Sequence, residues 1–189
     1  MTYSAINICS AALIKLGARS ISSFEEGTVE AEFSSKMYPM VRDALLSSYP
    51  WSFAVCQTKL NRLSLEPVAD YKYSYALPND FLRVISAGNG SKGAGIEYRI
   101  MERRIHTNSD GVILTYIFRP EEENFPPFFY EALVSRLAAE LCLPLTENTS
   151  AAQELLRRAE NVISSARLID AQQATPRKVE DFTLLGARR

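Results

Sequence analysis

One histidine, three cysteines and a run of three glutamates are the residues with the most capacity for chemistry. Histidine is the usual general base and metal ligand, and His106 is the only one in the chain. It lies in a turn-rich stretch between two predicted strands, and no cysteine stands at metal-ligand spacing from it. We therefore interpret His106 as a surface or loop residue without a catalytic role.

The cysteines are Cys9, Cys56 and Cys142, far apart in sequence and each among apolar neighbours. Metal sites need closely spaced ligands, and secreted disulfide scaffolds use cysteine more densely. We predict three buried free thiols. No metal and no cofactor is expected.

The acidic run Glu121, Glu122 and Glu123 has the residue type that a glycoside hydrolase needs. Such an enzyme requires one carboxyl whose pKa is raised by burial beside another that stays ionised. Three adjacent glutamates close to prolines are more typical of a solvated acidic loop. A glycan hydrolase stays open as the enzymatic alternative, but we expect no catalytic residues.

Two further motifs invite functional interpretation. Residues 88–93 are glycine-rich but lack the spacing of a phosphate-binding loop, so a hairpin tip is favoured. Tyr71, Tyr73 and Tyr75 alternate with smaller or polar residues and resemble a stacking platform for nucleic acid or sugar. We favour a sheet face that packs on the core or contacts a neighbouring subunit.

Charge and composition narrow the possible partners. The 189 residues carry a net charge of -1, whereas domains that neutralise phosphates are usually basic. The N-terminal sequence does not resemble a signal peptide, and no apolar run approaches the ~20 residues of a membrane span. We expect a soluble protein made in a cytoplasm, with no membrane partner.

Apolar residues at helical spacing predict two N-terminal helices. The first covers about residues 3–16, with Thr2 as N-cap and Gly17 as its stop. The second follows Thr28 and ends near Ser48. Pro39 lies inside the second helix and predicts a kink.

Two more helices are predicted at the other end of the chain. One begins after the pair of prolines at 126–127 and should end at Pro144. The other is capped by Asn148 or Thr149 and carries a long apolar stripe. Stripes at both chain ends need partners, which predicts a four-helix bundle.

The middle of the chain has the two-residue period of strands. We predict strands over residues 71–77, 81–86, 96–101 and 112–118, joined by short turns that require antiparallel pairing. The predicted fold class is α+β, mainly α. Residues 1–50 and 121–173 form the helical bundle domain, 51–120 an inserted small antiparallel β domain, and 174–189 an extended C-terminal arm.

Several of these segments resemble one family. The most specific are YPMVRDALL at residues 38–46, YPWSFA at 49–54, YALPNDFLRV at 75–84 and FPPFFYEAL at 125–133. AALIKLG at 11–17, ISSF at 21–24 and PLT at 144–146 add to them. In this order they resemble the tail tubular protein A family, the head-to-tail adaptors of short-tailed bacteriophages (podoviruses). The resemblance covers about residues 3–173 and weakens over 59–70.

The resemblance implies a structural virion protein of the tail and neck, assembled in the host cytoplasm. Family members form dodecameric rings between the portal protein and the tail nozzle, tail tubular protein B, with tail fibres as further candidate partners. DNA is retained and ejected through the lumen without sequence-specific binding. A connector adaptor of a long-tailed phage remains an alternative, although it usually lacks so large a β insertion.

The candidate site residues for such a role are interaction residues, and those of the C-terminal arm follow from its basic and apolar residue types, because the resemblance does not extend to residues 174–189. In the C-terminal arm, Phe182, Leu184 and Leu185 would anchor on the portal while Arg177 and Lys178 meet acidic portal surface. The glutamates at 121–123 would line the channel. The three tyrosines at 71, 73 and 75 would form the surface that contacts another subunit or the nozzle.

Overall fold

The computed structural model describes residues 3–90 and 95–173. Within them the chain is α+β, with helices at both ends of the sequence and strands between. The helices are α1 (Ala5–Lys15), α2 (Val29–Ser48), α3 (Pro127–Thr146) and α4 (Thr149–Ala171). The strands are β1 (Val55–Lys59), β2 (Tyr73–Ala76), β3 (Phe81–Gly88), β4 (Tyr98–Met101), β5 (Arg104–Thr107) and β6 (Ile113–Phe118).

Side-chain caps determine where the helices begin. Thr28 and Asn148 are the N-caps of α2 and α4, and their side-chain oxygens accept the N–H of Ala31 and Ala151. Both were predicted, Asn148 as one of two candidates. The cap of α1 is Ser4, whose Oγ accepts from Asn7, so the prediction of Thr2 was wrong by two residues.

The predicted helix stop at Pro144 was also wrong. α3 continues through Pro144 to Thr146 and ends at Glu147, which adopts a left-handed conformation with φ 54°. A proline in the last turn removes only one helical hydrogen bond. That turn is held by the Thr146 hydroxyl, which donates to Cys142 O at 2.7 Å, and by Glu147 N–H, which donates to Leu143 O at 2.9 Å.

The strands form two three-stranded antiparallel sheets, with strand orders β1-β6-β3 and β2-β5-β4. The sequence predicted the turn at residues 78–80, and Phe81 N–H donates to Pro78 O there at 3.2 Å. It missed β1 and β5, because both are short and mix apolar with polar residues. A 3-10 turn over Ser52–Ala54 leads into β1.

The four helices described here gather around α3, which packs against each of the other three. Their apolar faces form one core. Its largest fully buried side chains include Trp51, Phe129, Ile8, Leu13, Leu46, Leu133, Leu137 and Leu141. A second core lies in the β region around Tyr75, Ile105, Leu114 and Tyr116.

Trp51 is the point at which the helical core continues into the strands. Its side chain is 0% exposed, and its indole N–H donates to Leu45 O at 3.1 Å. Its ring meets Phe129 edge-on, with centroids 5.2 Å apart. Phe53 packs on the same ring of Phe129 at 4.9 Å. The segment after α2 is thereby fixed against the start of α3.

Candidate interaction surface

An open groove of about 710 Å³ lies between α2 and α4, with α3 as its floor. Apolar side chains dominate its walls, among them Met37, Met40, Val41 and Ile163. Met40 is 72% exposed. An exposed apolar groove of this kind is typical of an interaction site.

α2 and α4 converge at one end of this groove. Arg167 of α4 donates through Nη2 to Ser48 Oγ of α2 at 3.2 Å, and its guanidinium lies over the ring of Tyr49. Met37 on α2 and Glu160 on α4 line the groove farther along the two helices from this contact.

Four charged residues line the groove: Arg136, Glu140, Glu160 and Arg167. Arg136 and Glu140 pair with each other on the floor, at 2.6 Å between Nη2 and Oε1. Glu160 forms no ion pair with any residue that the structure describes. Arg167 has a buried Nε–H that finds no acceptor within the described ranges 3–90 and 95–173.

A polar network joins α2 to the segment between β6 and α3. Glu122 Oε1 accepts from the Tyr38 hydroxyl and from Arg42 Nη1, each at 2.9 Å. Arg42 Nε donates to Asp43 Oδ1 at 3.0 Å. Arg119 donates to the same carboxylate through Nε to Oδ1 at 3.0 Å and through Nη2 to Oδ2 at 2.5 Å. The network connects the segment that follows β6 to the middle of α2.

Ionisation of this network follows from its contacts. Burial acts to raise the pKa of Glu122, but hydrogen bonds from its own backbone N–H, Tyr38 and Arg42 outweigh burial and lower that pKa. Burial likewise opposes ionisation of Asp43, yet the guanidinium groups of Arg119 and Arg42 lower its pKa below the ordinary value. Both carboxylates are therefore held in the charged form.

The sequence suggested that all three glutamates of the acidic run are solvated, and this is wrong for one of them. Glu121 and Glu123 are exposed, whereas Glu122 is half-buried in the network with Arg42. A lowered pKa is the opposite of what a general acid requires, so Glu122 is poorly suited to that role in glycoside hydrolysis.

The three tyrosines do not share one surface. Tyr75 is 1% exposed, and its hydroxyl donates to Ser109 O and accepts from Gly111 N–H. Its ring belongs to the core of the β region and offers no contact face. Tyr73 lies beneath the guanidinium of Arg62, which is 3.8 Å from the ring centroid. Tyr71 and Tyr73 remain partly exposed, and their role in contacts stays a prediction.

His106 lies within β5, not in a loop as predicted, opposite Ser74 on one side and Arg99 on the other. It is half-buried, and both ring nitrogens are buried without a hydrogen-bond partner among the described residues.

The thiols of Cys9 and Cys142 are buried, as predicted, but Cys56 on β1 is only partly buried. Burial raises the pKa of Cys9 to about 12, so that thiol stays protonated and unreactive. The described residues hold no cluster of histidine, cysteine or carboxylate side chains able to bind a metal ion. Nor does any helix in the described ranges have the length and apolarity to cross a bilayer.

The predicted anchors of the C-terminal arm, residues 177, 178, 182, 184 and 185, lie outside the described residues. The groove itself was not foreseen, although Met37, Met40, Val41 and Ala44 recur at helical spacing in the sequence. That spacing indicates that α2 has an apolar face. Whether another helix covers this face depends on how the helices pack, which the spacing does not show.

Comparison with known protein families and with curated proteins finds no match for this chain.

Proposed function

We propose that the chain is a head-to-tail adaptor subunit of a short-tailed bacteriophage. Copies would form a dodecameric ring that joins the portal protein to the tail nozzle, tail tubular protein B, with the phage DNA passing through the lumen. The helices would supply the ring body as a four-helix bundle, with the β region projecting from one of its ends. The C-terminal arm, residues 174–189, would dock on the portal.

The observation that carries the proposal is that two family-like segments, far apart in sequence, pack together. Residues 49–54 and 125–133 supply a single aromatic cluster, in which Phe53 lies 6.1 Å from Phe125 and 4.9 Å from Phe129 between ring centroids. Two of the segments that carry the resemblance therefore belong to one core, which agrees with their forming a single unit in the proposed subunit.

Exposed apolar residues on the helices supply candidate contacts for neighbouring subunits. Ile14 on α1, Met40 on α2 and Leu168 on α4 are all largely exposed. Rings need such contacts on two different faces of each subunit, because each copy meets one neighbour on either side. In the proposed ring, these residues on three helices are the candidates for the two faces.

Channel lining in this proposal falls to Glu121 and Glu123, because the Glu122 carboxylate is bound by Arg42 and Tyr38. Exposed carboxylates repel DNA phosphates and so keep a polyanion from adhering to the wall. The overall charge of -1 agrees with a wall that does not retain DNA.

Electron microscopy of the purified full-length protein, mixed with the portal ring of the same phage, tests the proposal. Rings of this protein stacked on the portal are the expected result. A subunit that stays monomeric and ignores the portal would contradict it. In that case Glu121→Gln and Glu123→Gln variants, assayed on glycan substrates, would test the hydrolase alternative.

A further inference from the structure

We propose that the groove between α2 and α4 of one copy receives the loop between β1 and β2 of a second copy of this chain. The part of the loop that enters the groove is residues 65–70, which we call the apolar loop. The inference rests on the proposed adaptor function, because it names the contact that joins adjacent subunits of the ring. The resemblance to the adaptor family weakens over residues 59–70 and carries no expectation for this loop.

The apolar loop holds large apolar side chains in water. Leu65 is 65% exposed, and Val68 is fully exposed. Pro67 and Ala69 lie beside Val68 and add to the same apolar tip. Neighbouring apolar side chains that are exposed together are typical of a surface that a protein partner covers.

Hydrogen bonds hold both ends of the apolar loop on the β region. Before the tip, Leu63 N–H donates to Ser74 O at 2.8 Å, and the Ser74 hydroxyl donates to Leu65 O at 3.0 Å. After the tip, Lys72 N–H donates to Asn108 Oδ1 at 3.0 Å. A loop held in one conformation loses less conformational entropy on binding, so the apolar loop is suited to insertion into a groove.

The apolar loop does not fill the groove of its own subunit. Residues of α2, α3 and α4 line the groove, and none of residues 65–70 is among them. Loop and groove are therefore two different surfaces of one subunit. Each copy can give its loop to one neighbour and its groove to the other, which is a heterologous contact. Contacts of this kind produce a ring when the rotation closes, as the proposed function requires.

The groove offers the loop an apolar wall. Met40 and Val41 of α2 face Ile163 of α4 across it. Met40 is 72% exposed and is among the residues that the proposed function already places in subunit contacts. Insertion of Leu65 and Val68 removes apolar surface of both copies from water, which is the main favourable contribution to association.

Charge complementarity determines where along the groove the loop lies. Glu66 and Asp70 flank Val68 and form no ion pair with any residue in the described ranges. Arg167 follows Ile163 by one turn of α4, and its buried Nε–H has no acceptor among the described residues. A buried donor without an acceptor is costly. A carboxylate of the inserted loop supplies that acceptor.

The other charges of the groove are compatible with this placement. Arg136 and Glu140 neutralise each other on the floor. Glu160 precedes Arg167 by two turns, about 10 Å along the axis of α4. That separation exceeds the Debye length of about 8 Å at physiological ionic strength, so repulsion between Glu160 and a carboxylate bound to Arg167 is largely screened.

Mixing two variants of the full-length protein tests the contact. Val68→Glu places a charge at the tip of the loop, and Ala44→Glu places one on the groove wall that α2 contributes. Both positions are exposed, so each variant should keep its fold, which circular dichroism checks. Neither variant should form rings alone, because each lacks one half of the contact. An equimolar mixture should give a dimer and nothing larger in sedimentation velocity, since one intact loop then meets one intact groove.

Val29→Glu is the matched control. Val29 is 57% exposed on α2 and lies outside both the loop and the groove. This variant should assemble as wild type does.

Three outcomes of the mixing experiment would overturn the inference. The first is ring formation by Val68→Glu or Ala44→Glu alone at the wild-type level, which leaves the adaptor function intact. The second is a mixture that contains no dimer. The third is a Val68→Glu ring that no longer stacks on the portal, which would make the portal the partner of the loop. Wild-type protein that stays monomeric beside the portal ring would instead contradict the adaptor function.

Cysteine cross-linking reads the same contact without a closed ring. In a Cys56→Ser background, a tagged copy with Val68→Cys is mixed with an untagged copy with Ala44→Cys and oxidised with copper phenanthroline. A disulfide-linked heterodimer is the expected product. Val29→Cys in place of Ala44→Cys should give much less of it, and equal yields from the two pairs would reject the groove as the binding site of the loop.

Charge exchange tests the pairing with Arg167. Arg167→Glu in the groove copy should lower the heterodimer yield about ten-fold, because like charges then face each other. Glu66→Lys and Asp70→Lys in the loop copy should restore the yield. Glu160→Gln should leave it unchanged. Failure of the exchange to restore cross-linking would reject the pairing of Arg167 with the loop carboxylates.

Discussion

Asp170, near the end of α4, holds Ser52 at the start of the 3-10 turn that leads into β1. Its carboxylate accepts the Ser52 backbone N–H at 3.0 and 3.1 Å and the Ser52 hydroxyl at 2.7 Å. Asp170 is 3% exposed, so these hydrogen bonds replace its hydration. The last helix thereby fixes the entry to the β region.

Asp170→Ala should lower the free energy of unfolding by about 1.5–3 kcal/mol, because it removes the charged acceptor of the Ser52 N–H and hydroxyl. Urea unfolding followed by circular dichroism measures the loss. Asp170→Asn keeps one acceptor oxygen and should cost less. Equal stability of wild type and Asp170→Ala would show that the contact contributes nothing.

Trp51→Ala should cost about 3–5 kcal/mol, since it removes a fully buried ring and the hydrogen bond to Leu45 O. Met40→Ala, at an exposed apolar position on α2, should change stability by no more than about 0.5 kcal/mol. Chemical unfolding of both variants provides the comparison. A loss below 1 kcal/mol or so for Trp51→Ala would contradict the central role of this ring.

Acid should weaken the network around Arg42. The pKa values of Asp43 and Glu122 are lowered on folding from ordinary values of 3.8 and 4.5. Their contribution is therefore fully present above those values and is lost as pH falls through the lower folded pKa values. Between pH 6 and pH 3, Asp43→Asn should show a smaller decline in unfolding free energy than wild type, by about 1 kcal/mol after solvent screening.

Glu66→Gln is the control for that pH comparison, because Glu66 is an exposed carboxyl outside the network. It should follow the wild-type pH dependence. If the unfolding free energy of Asp43→Asn falls with pH as steeply as that of wild type, the network does not contribute to the pH dependence of stability.

Neighbouring residues on β5 should respond oppositely to loss of polarity. His106→Leu should be neutral or slightly stabilising, because both ring nitrogens are buried without partners in the described structure. Thr107→Val should cost about 1–2 kcal/mol, since the Thr107 hydroxyl donates to Glu97 O at 2.6 Å and accepts from Ser109 N–H. Thermal unfolding of both variants checks the contrast, and a larger loss for His106→Leu would reverse it.

A chain that ends at residue 174 should keep its fold but fail to dock on the portal. The helical core and the β core lie within residues 3–173, so circular dichroism should stay close to that of the full chain. Co-sedimentation with portal rings measures docking. Docking by the shortened chain would remove the C-terminal arm from the proposed function.

Local chemistry allowed the sequence to predict the helices closely. The side-chain oxygens of Thr28 and Asn148 cap the helices that follow them. Gly17 tolerates the φ of +71° that the chain adopts just after α1. The turn at residues 78–80 was predicted for the same reason. Each of these depends only on neighbours a few residues away.

Tertiary contacts decided what the sequence missed. The period of Tyr71, Tyr73 and Tyr75 predicted one exposed or packed face, but Ser74 and Tyr75 are both buried, since the Ser74 hydroxyl donates to Leu65 O in the preceding loop. The exposure of a strand residue depends on what covers each side of the sheet. Spacing alone does not contain that information.

The sequence by itself determined the helices, four of the six antiparallel strands that the structure describes and the placement of apolar stripes, because these follow from residue conformational preferences and periodicity. Only the tertiary structure decided that Glu122 joins Arg42, that Asp170 meets Ser52, and that α2 and α4 leave a groove over α3. Each of these pairs residues distant in the chain. These contacts form only when whole helices and strands pack together. That packing is determined by the burial of many side chains, and no local motif specifies it.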